Sequence, residues 1–90
     1  MRFRVDLSNE AQKQLARFPR DVRQRIDRAI DEFEQKDDSL WSNIKALRGP
    51  EWKGRYRKKV GPYRIVFMKF PNRGVMEISA ILIRSKDTYR

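Results

Sequence analysis

The residues with the most chemistry to offer lie in GRYRKKVGPYRIVF, residues 54–67, where Arg55, Arg57, Lys58, Lys59 and Arg64 crowd around a Gly61-Pro62 break. From Trp52 to Arg73 there are eight bases and no acid, while residues 1–51 hold eleven bases against ten acids. The net charge of +10 is thus concentrated in about a quarter of the 90-residue chain. A surface for a polyanion accounts for such a distribution better than general basicity does. Singly, Lys58, Lys59 and Lys69 also suit the ordinary protection of an open sheet face. As a group, with arginine prominent, they match phosphate oxygens, which a planar guanidinium engages two at a time.

The chemistry open to these residues is narrow. The chain has no histidine and no cysteine, which removes imidazole bases, thiolates and disulfides. Its acids are scattered, so no metal or other cofactor is expected. RNA offers a reaction without metal, because its 2′-hydroxyl can attack the adjacent phosphorus. A fixed guanidinium stabilises the charge that develops there. A lysine crowded by other cations can carry the proton, whereas arginine serves poorly as a base. The same residues would suffice for binding without catalysis.

The elements that must position them follow from periodicity. Phe3, Val5 and Leu7 alternate as a first strand, and Ser8 and Asn9 are helix-start residues. Ala11, Leu15 and Phe18 give a helix ending before Pro19. Asp21 opens a second, with Val22, Ile26, Ala29, Ile30 and Phe33 on one stripe and charges, including Asp27, Asp31 and Glu34, on its solvated faces. With so short a connection the two helices form an antiparallel pair. Residues 36–49 read as loop with one turn of helix at most. Strands follow at about 52–60, 63–70 and 75–83, separated by Gly61-Pro62 and PNRG turns.

The expected fold is therefore α+β, a single domain over residues 1–90: an N-terminal strand, a helix pair, then a three-stranded antiparallel meander with the helices on one face. A two-residue turn at Gly61-Pro62 pairs Val60 with Tyr63 and Lys59 with Arg64. Arg55, Arg57 and Arg64 then share the face away from the helices, and Tyr56, Tyr63, Ile65 and Phe67 the other. In the last strand Met76, Ile78, Ala80 and Leu82 form the more apolar set. No apolar run approaches a membrane span, so a soluble, cytoplasmic protein without membrane association is expected.

IKALRGPEWKGRYRKKVGPYRIVFMKF followed by VMEISAILIRSKDTY resembles the RelE/ParE superfamily of toxins from toxin–antitoxin pairs, and more closely its RelE branch. Leu47-Arg48-Gly49, Arg55-Tyr56-Arg57, Gly61-Pro62-Tyr63-Arg64, Arg84 and Tyr89 carry the likeness. The resemblance implies a compact RelE-like domain that cleaves mRNA in the A site of the 70S ribosome and is neutralised by a cognate antitoxin. By position, Arg64 would stabilise charge at the scissile phosphate, Arg84 would serve the leaving group, and Tyr89 would stack on or orient the substrate. Arg55 and Arg57 stand where the best-known branch carries two lysines, one of them the proposed base. Lys53, Lys58 and Lys59 are the nearby proton carriers, with Lys53 and Lys59 better facing, and Lys69 and Arg48 complete the expected RNA contacts. Gyrase inhibition of the ParE kind and non-catalytic nucleic-acid binding are the alternative readings.

Overall fold

Ser8 joins the first two elements of the computed structural model, which describes residues 1–83. It follows strand β1 (Arg4–Leu7) and caps helix α1 (Asn9–Arg17), its Oγ accepting from Ala11 N at 3.1 Å and donating to Ser79 O at 2.8 Å. One hydroxyl thus satisfies an orphan helix N–H and ties the helix start to the sheet. Phe18, held extended ahead of Pro19, ends α1, as the clash of a proline ring with a preceding helical residue requires. Helix α2 (Arg20–Gln35) begins at once and buries Val22, Ile26, Ala29 and Phe33.

Four strands complete a five-stranded sheet: β2 (Ile44–Ala46), β3 (Tyr56–Val60), β4 (Tyr63–Phe70) and β5 (Val75–Ile83), in the order β1-β5-β4-β3-β2. The expected meander, β3-β4-β5, is its centre. At one edge β1 pairs with β5 in parallel, and at the other β2 pairs antiparallel with β3. Both helices cover one face, where Phe3, Ile26, Phe33, Trp41, Ile65, Phe67, Met76, Ile78 and Ile81 form the core. Phe33 meets Trp41 and Phe67 at centroid distances of 4.8 and 5.0 Å. Tyr56 and Tyr63 pack on this side against Phe67 and Phe18. No helix among the described residues is long and apolar enough to cross a membrane.

Strand β3 starts at Tyr56, not near residue 52, because Pro50–Trp52 close a 3₁₀ turn ahead of it. Two other details depart from the sequence expectation. The first is that residues 36–49 hold a strand as well as one 3₁₀ turn, Asp38–Leu40. Asn43 adopts a left-handed φ of 61°, which interrupts any helix through Trp41 and Ile44 and launches β2 along β3. The second is a β-bulge. Val66 pairs with Ala80 but Phe67 with Ile78, so Ser79 is an extra residue in β5. An extra residue reverses the alternation beyond it. Met76 and Ile78 therefore share the helix face with Ile81, not with Ala80 and Leu82, which lie on the open face opposite Val66 and Arg64.

Candidate nucleic-acid interface

The hairpin β3–β4 sets the geometry of the face away from the helices, the open face, on which Val66 is nonetheless only 1% exposed. Gly61 takes a φ of +56°, as the first central position of a II′ hairpin turn demands. The two-residue turn pairs Val60 with Tyr63, Lys59 with Arg64 and Arg57 with Val66. This is the expected register. Alternation then places Arg57, Lys59 and Arg64 together on the side away from the helices, with Lys45 of β2 beside Arg57. Arg55 immediately precedes β3 and is half-buried.

Arg64 is held rigidly. Only 5% of it is exposed, and its Nη1 donates to Gly61 O at 2.8 Å and Tyr63 O at 2.9 Å. The side chain thus curls back onto the turn that precedes its own strand. A guanidinium fixed in this way and largely withdrawn from water is preorganised, its charge held in one place by the fold. Arg57 is fixed by a different route: its Nη1 donates to Asn43 O at 2.7 Å, and the same carbonyl accepts from Lys59 N at 3.0 Å. The left-handed Asn43 therefore presents a carbonyl that orients an open-face arginine.

Two of the expected RNA contacts are elsewhere. Lys58 faces the helices, opposite Ile65, and is 4% exposed. Its Nζ reaches both Glu32 carboxylate oxygens at 3.1 Å, Ser42 O at 2.8 Å and Ser42 Oγ at 3.2 Å. Burial raises the Glu32 pKa, but the Ser42 N–H, at 2.8 Å, and Lys58 outweigh it and hold the carboxyl below its ordinary range. Lys69 also lies on the helix face, opposite Met76, bonded to Asp38 at 3.2 Å and 5.1 Å from the Tyr56 ring centre. The reason is alternation: Lys58 and Lys69 occupy positions of the opposite parity to Arg57 and Arg64. Both are removed from the open-face set.

Arg48 and Lys53 are exposed in the connection between β2 and β3, which Leu47 N closes on Arg55 O at 3.0 Å. Arg84 and Tyr89 lie outside the described residues. Glu32, Ser42 and Asn43 were missed as parts of the site. A left-handed asparagine before a short strand carries only a weak signal, and a lysine–glutamate pair 26 residues apart carries none. Among the described residues, no group of three or more acidic, histidine or cysteine side chains gathers that could hold a metal ion.

The architecture, a mixed sheet with two helices on one face, is similar to that of solved RelE toxins. The chain matches the crystal structure of the archaeal RelE–RelB complex from Pyrococcus horikoshii OT3 with a TM-score of 0.74 and 21% identity, over 96% of this chain and 99% of that one. It matches the toxin–antitoxin complex RelBE2 from Mycobacterium tuberculosis with a TM-score of 0.67 and 23% identity, over 93% and 100% of the two chains. The isolated Escherichia coli RelE toxin gives 0.70 and 17%, over 96% and 88%. None of the curated proteins matches the sequence. The family profile described as the ParE toxin of the type II toxin–antitoxin system, parDE, matches residues 5–88, and the chain belongs to this RelE/ParE family of type II toxins.

Proposed function

We propose that this toxin is a ribosome-dependent mRNA endoribonuclease. The observation that carries the reading is Arg64, buried at the hairpin turn, fixed by two backbone carbonyls and sharing an open face with Arg57 and Lys59. In the reaction the 2′-oxygen forms a bond to phosphorus and gives up its proton. The bond from phosphorus to the 5′-oxygen then breaks, and the departing oxygen takes a proton. Arg64 stabilises the added charge on phosphorus, with Arg57 and Arg55 beside it. Lys59, directly across the hairpin from Arg64, is the candidate proton acceptor, a role it can fill only as the neutral amine, with Lys53 as the other facing lysine. Arg48 contacts the RNA backbone. Resemblance to RelE assigns the leaving group to Arg84 and substrate stacking to Tyr89. No metal takes part in this scheme.

The partners are the A site of the 70S ribosome with its mRNA and, for neutralisation, a cognate antitoxin, as RelB accompanies RelE in the solved complexes. An acid-bearing amphipathic segment would suit the toxin's charge. The whole scheme operates in the cytoplasm.

The test is to map mRNA 5′ ends in a translation extract with the purified chain, Arg64→Ala and Arg64→Lys. The wild type should cut within ribosome-bound codons, and Arg64→Ala should cut about 100- to 1000-fold more slowly, the usual loss for a preorganised donor to developing charge. Arg64→Lys keeps the charge without the fork and should fall between. Circular dichroism checks that each variant folds. Undiminished cleavage by a folded Arg64→Ala refutes the role of Arg64. The ParE description of the matching family favours a second reading, inhibition of DNA gyrase. Intact mRNA together with blocked supercoiling would select it.

A further inference from the structure

The glycine at the hairpin tip has a second guanidinium against it. A Cβ built on Gly61 would lie 2.4 Å from Arg25 Nη2 and 3.2 Å from its Cζ. The Arg25 side chain, from the middle of α2, therefore reaches down onto the bare Cα of the turn whose carbonyl oxygen Arg64 holds at 2.8 Å. Two guanidiniums from distant parts of the sequence bracket one residue, and Lys59 lies two positions before it. Asp21 sits one turn N-terminal to Arg25, the favourable order for a helical ion pair, yet the structure does not form that pair. The Arg25 side chain makes no hydrogen bond or ion pair among the described residues. It is exposed, like Lys59.

Cations gathered without a carboxylate between them repel one another, and an anion that bridges them relieves the repulsion. An arginine fork suits two oxygens of one phosphate. We propose that the phosphate-binding surface continues around the Gly61 turn onto α2, and that Arg25 takes a phosphodiester of the RNA adjoining the one at Arg64. The proposal rests on the nuclease reading for its ligand class. The helix pair would then be part of the RNA-facing surface as well as the lid of the core. Gly61 serves this surface twice, by its positive φ and by leaving room for Arg25.

The test uses the full chain and a fluorescent single-stranded 2′-O-methyl oligoribonucleotide, which cannot be cut because its nucleophile is blocked. Binding is followed by anisotropy across a salt series for the wild type, Arg25→Gln and Arg25→Lys. Each phosphate contact on a single strand adds about 0.7 to the slope of log K against log salt. Losing one contact should therefore lower the slope by about 0.7 and weaken binding about fivefold at 0.1 M salt. Arg25→Lys should keep the slope and lose less affinity. Parallel 5′-end mapping separates the two readings. Wild-type cleavage with an unchanged slope in Arg25→Gln overturns the Arg25 contact alone. A reduced slope without cleavage by any form supports the surface and refutes the nuclease. Equal weakening in both variants with a lowered melting temperature makes Arg25 a structural cover for the turn and overturns the proposal. Failure of the wild type to bind overturns both.

Discussion

Glu32→Gln is the substitution whose consequence the structure fixes most closely. It leaves the Lys58 ammonium in place, 4% exposed, with the two Ser42 oxygens and a neutral amide where it had a carboxylate at 3.1 Å. Removing one partner of a buried ion pair costs about 3–5 kcal/mol. Glu32 keeps 19% of its side-chain surface exposed, and glutamine retains one acceptor oxygen. Those two features bring the expected loss to about 2 kcal/mol. In a chain of this size that lowers the melting temperature by about 8–16 °C. Thermal denaturation followed by circular dichroism measures it at pH 7. The pH dependence carries its own sign. The folded pKa of Glu32 lies below its ordinary 4.5, so the carboxylate contributes stability above that value and loses it as pH falls through the folded pKa. The gap between wild type and variant should be full at pH 7, begin to shrink near the ordinary carboxylate value and close only as pH falls through the lower folded pKa. Replacing both partners, as in Glu32→Leu with Lys58→Met, should recover most of the loss, because an apolar pair leaves no stranded charge. A melting temperature within about 2 °C of wild type for Glu32→Gln alone would refute the buried-pair account.

Two other substitutions probe features that position the open face. Asn43→Ala should cost up to about 1 kcal/mol, the part of the left-handed penalty that asparagine offsets and alanine does not, whereas Asn43→Gly carries no Cβ to strain at that φ and should melt close to wild type. Equal losses in the two would mean that the asparagine side chain, not the backbone at 61°, matters. Ile81→Ala should cost about 2–4 kcal/mol in urea titrations, as expected for a core residue only 2% exposed. Leu82→Ala should cost under about 1.5 kcal/mol because Leu82 is partly exposed on the other face. The reverse order would restore the uninterrupted alternation and argue against the bulge at Ser79.

The helices and the hairpin register were legible because their signals are local. Ser8 and Pro19 bound α1, the Val22–Ile26–Phe33 stripe gives α2, and a two-residue turn at Gly61-Pro62 gives the observed pairing, which a slip of one residue would have undone. From that pairing the shared face of Arg57, Lys59 and Arg64 follows by parity alone. The same parity puts Lys58 on the other side; Lys58 and Lys69 entered the expected RNA contacts on charge, and charge along the chain does not show parity. β2 was hidden because three residues carry too little pattern, and its start depends on the left-handed Asn43. The bulge was hidden because Ser79 suits an unbroken strand as well as a bulged one. Ile78 and Ile81 declare it only once the helices lie across them.

Adjacent residues of β3 explain how so thin a core holds a charged face in order. Arg57 and Lys58 point to opposite sides of the sheet, yet both hold the segment Ser42–Asn43. Lys58 takes the Ser42 carbonyl from beneath, with Glu32 of α2 neutralising it, while Arg57 takes the Asn43 carbonyl from above. A short edge strand that would otherwise fray is thereby fixed between a helix and the open face. Lys58 and Arg57 thus hold neighbouring carbonyls of one segment from opposite faces. The Asn43 carbonyl that orients the Arg57 guanidinium is pinned a second time by Lys59 N at 3.0 Å, so the order of this face rests on backbone contacts made from both sides of the sheet.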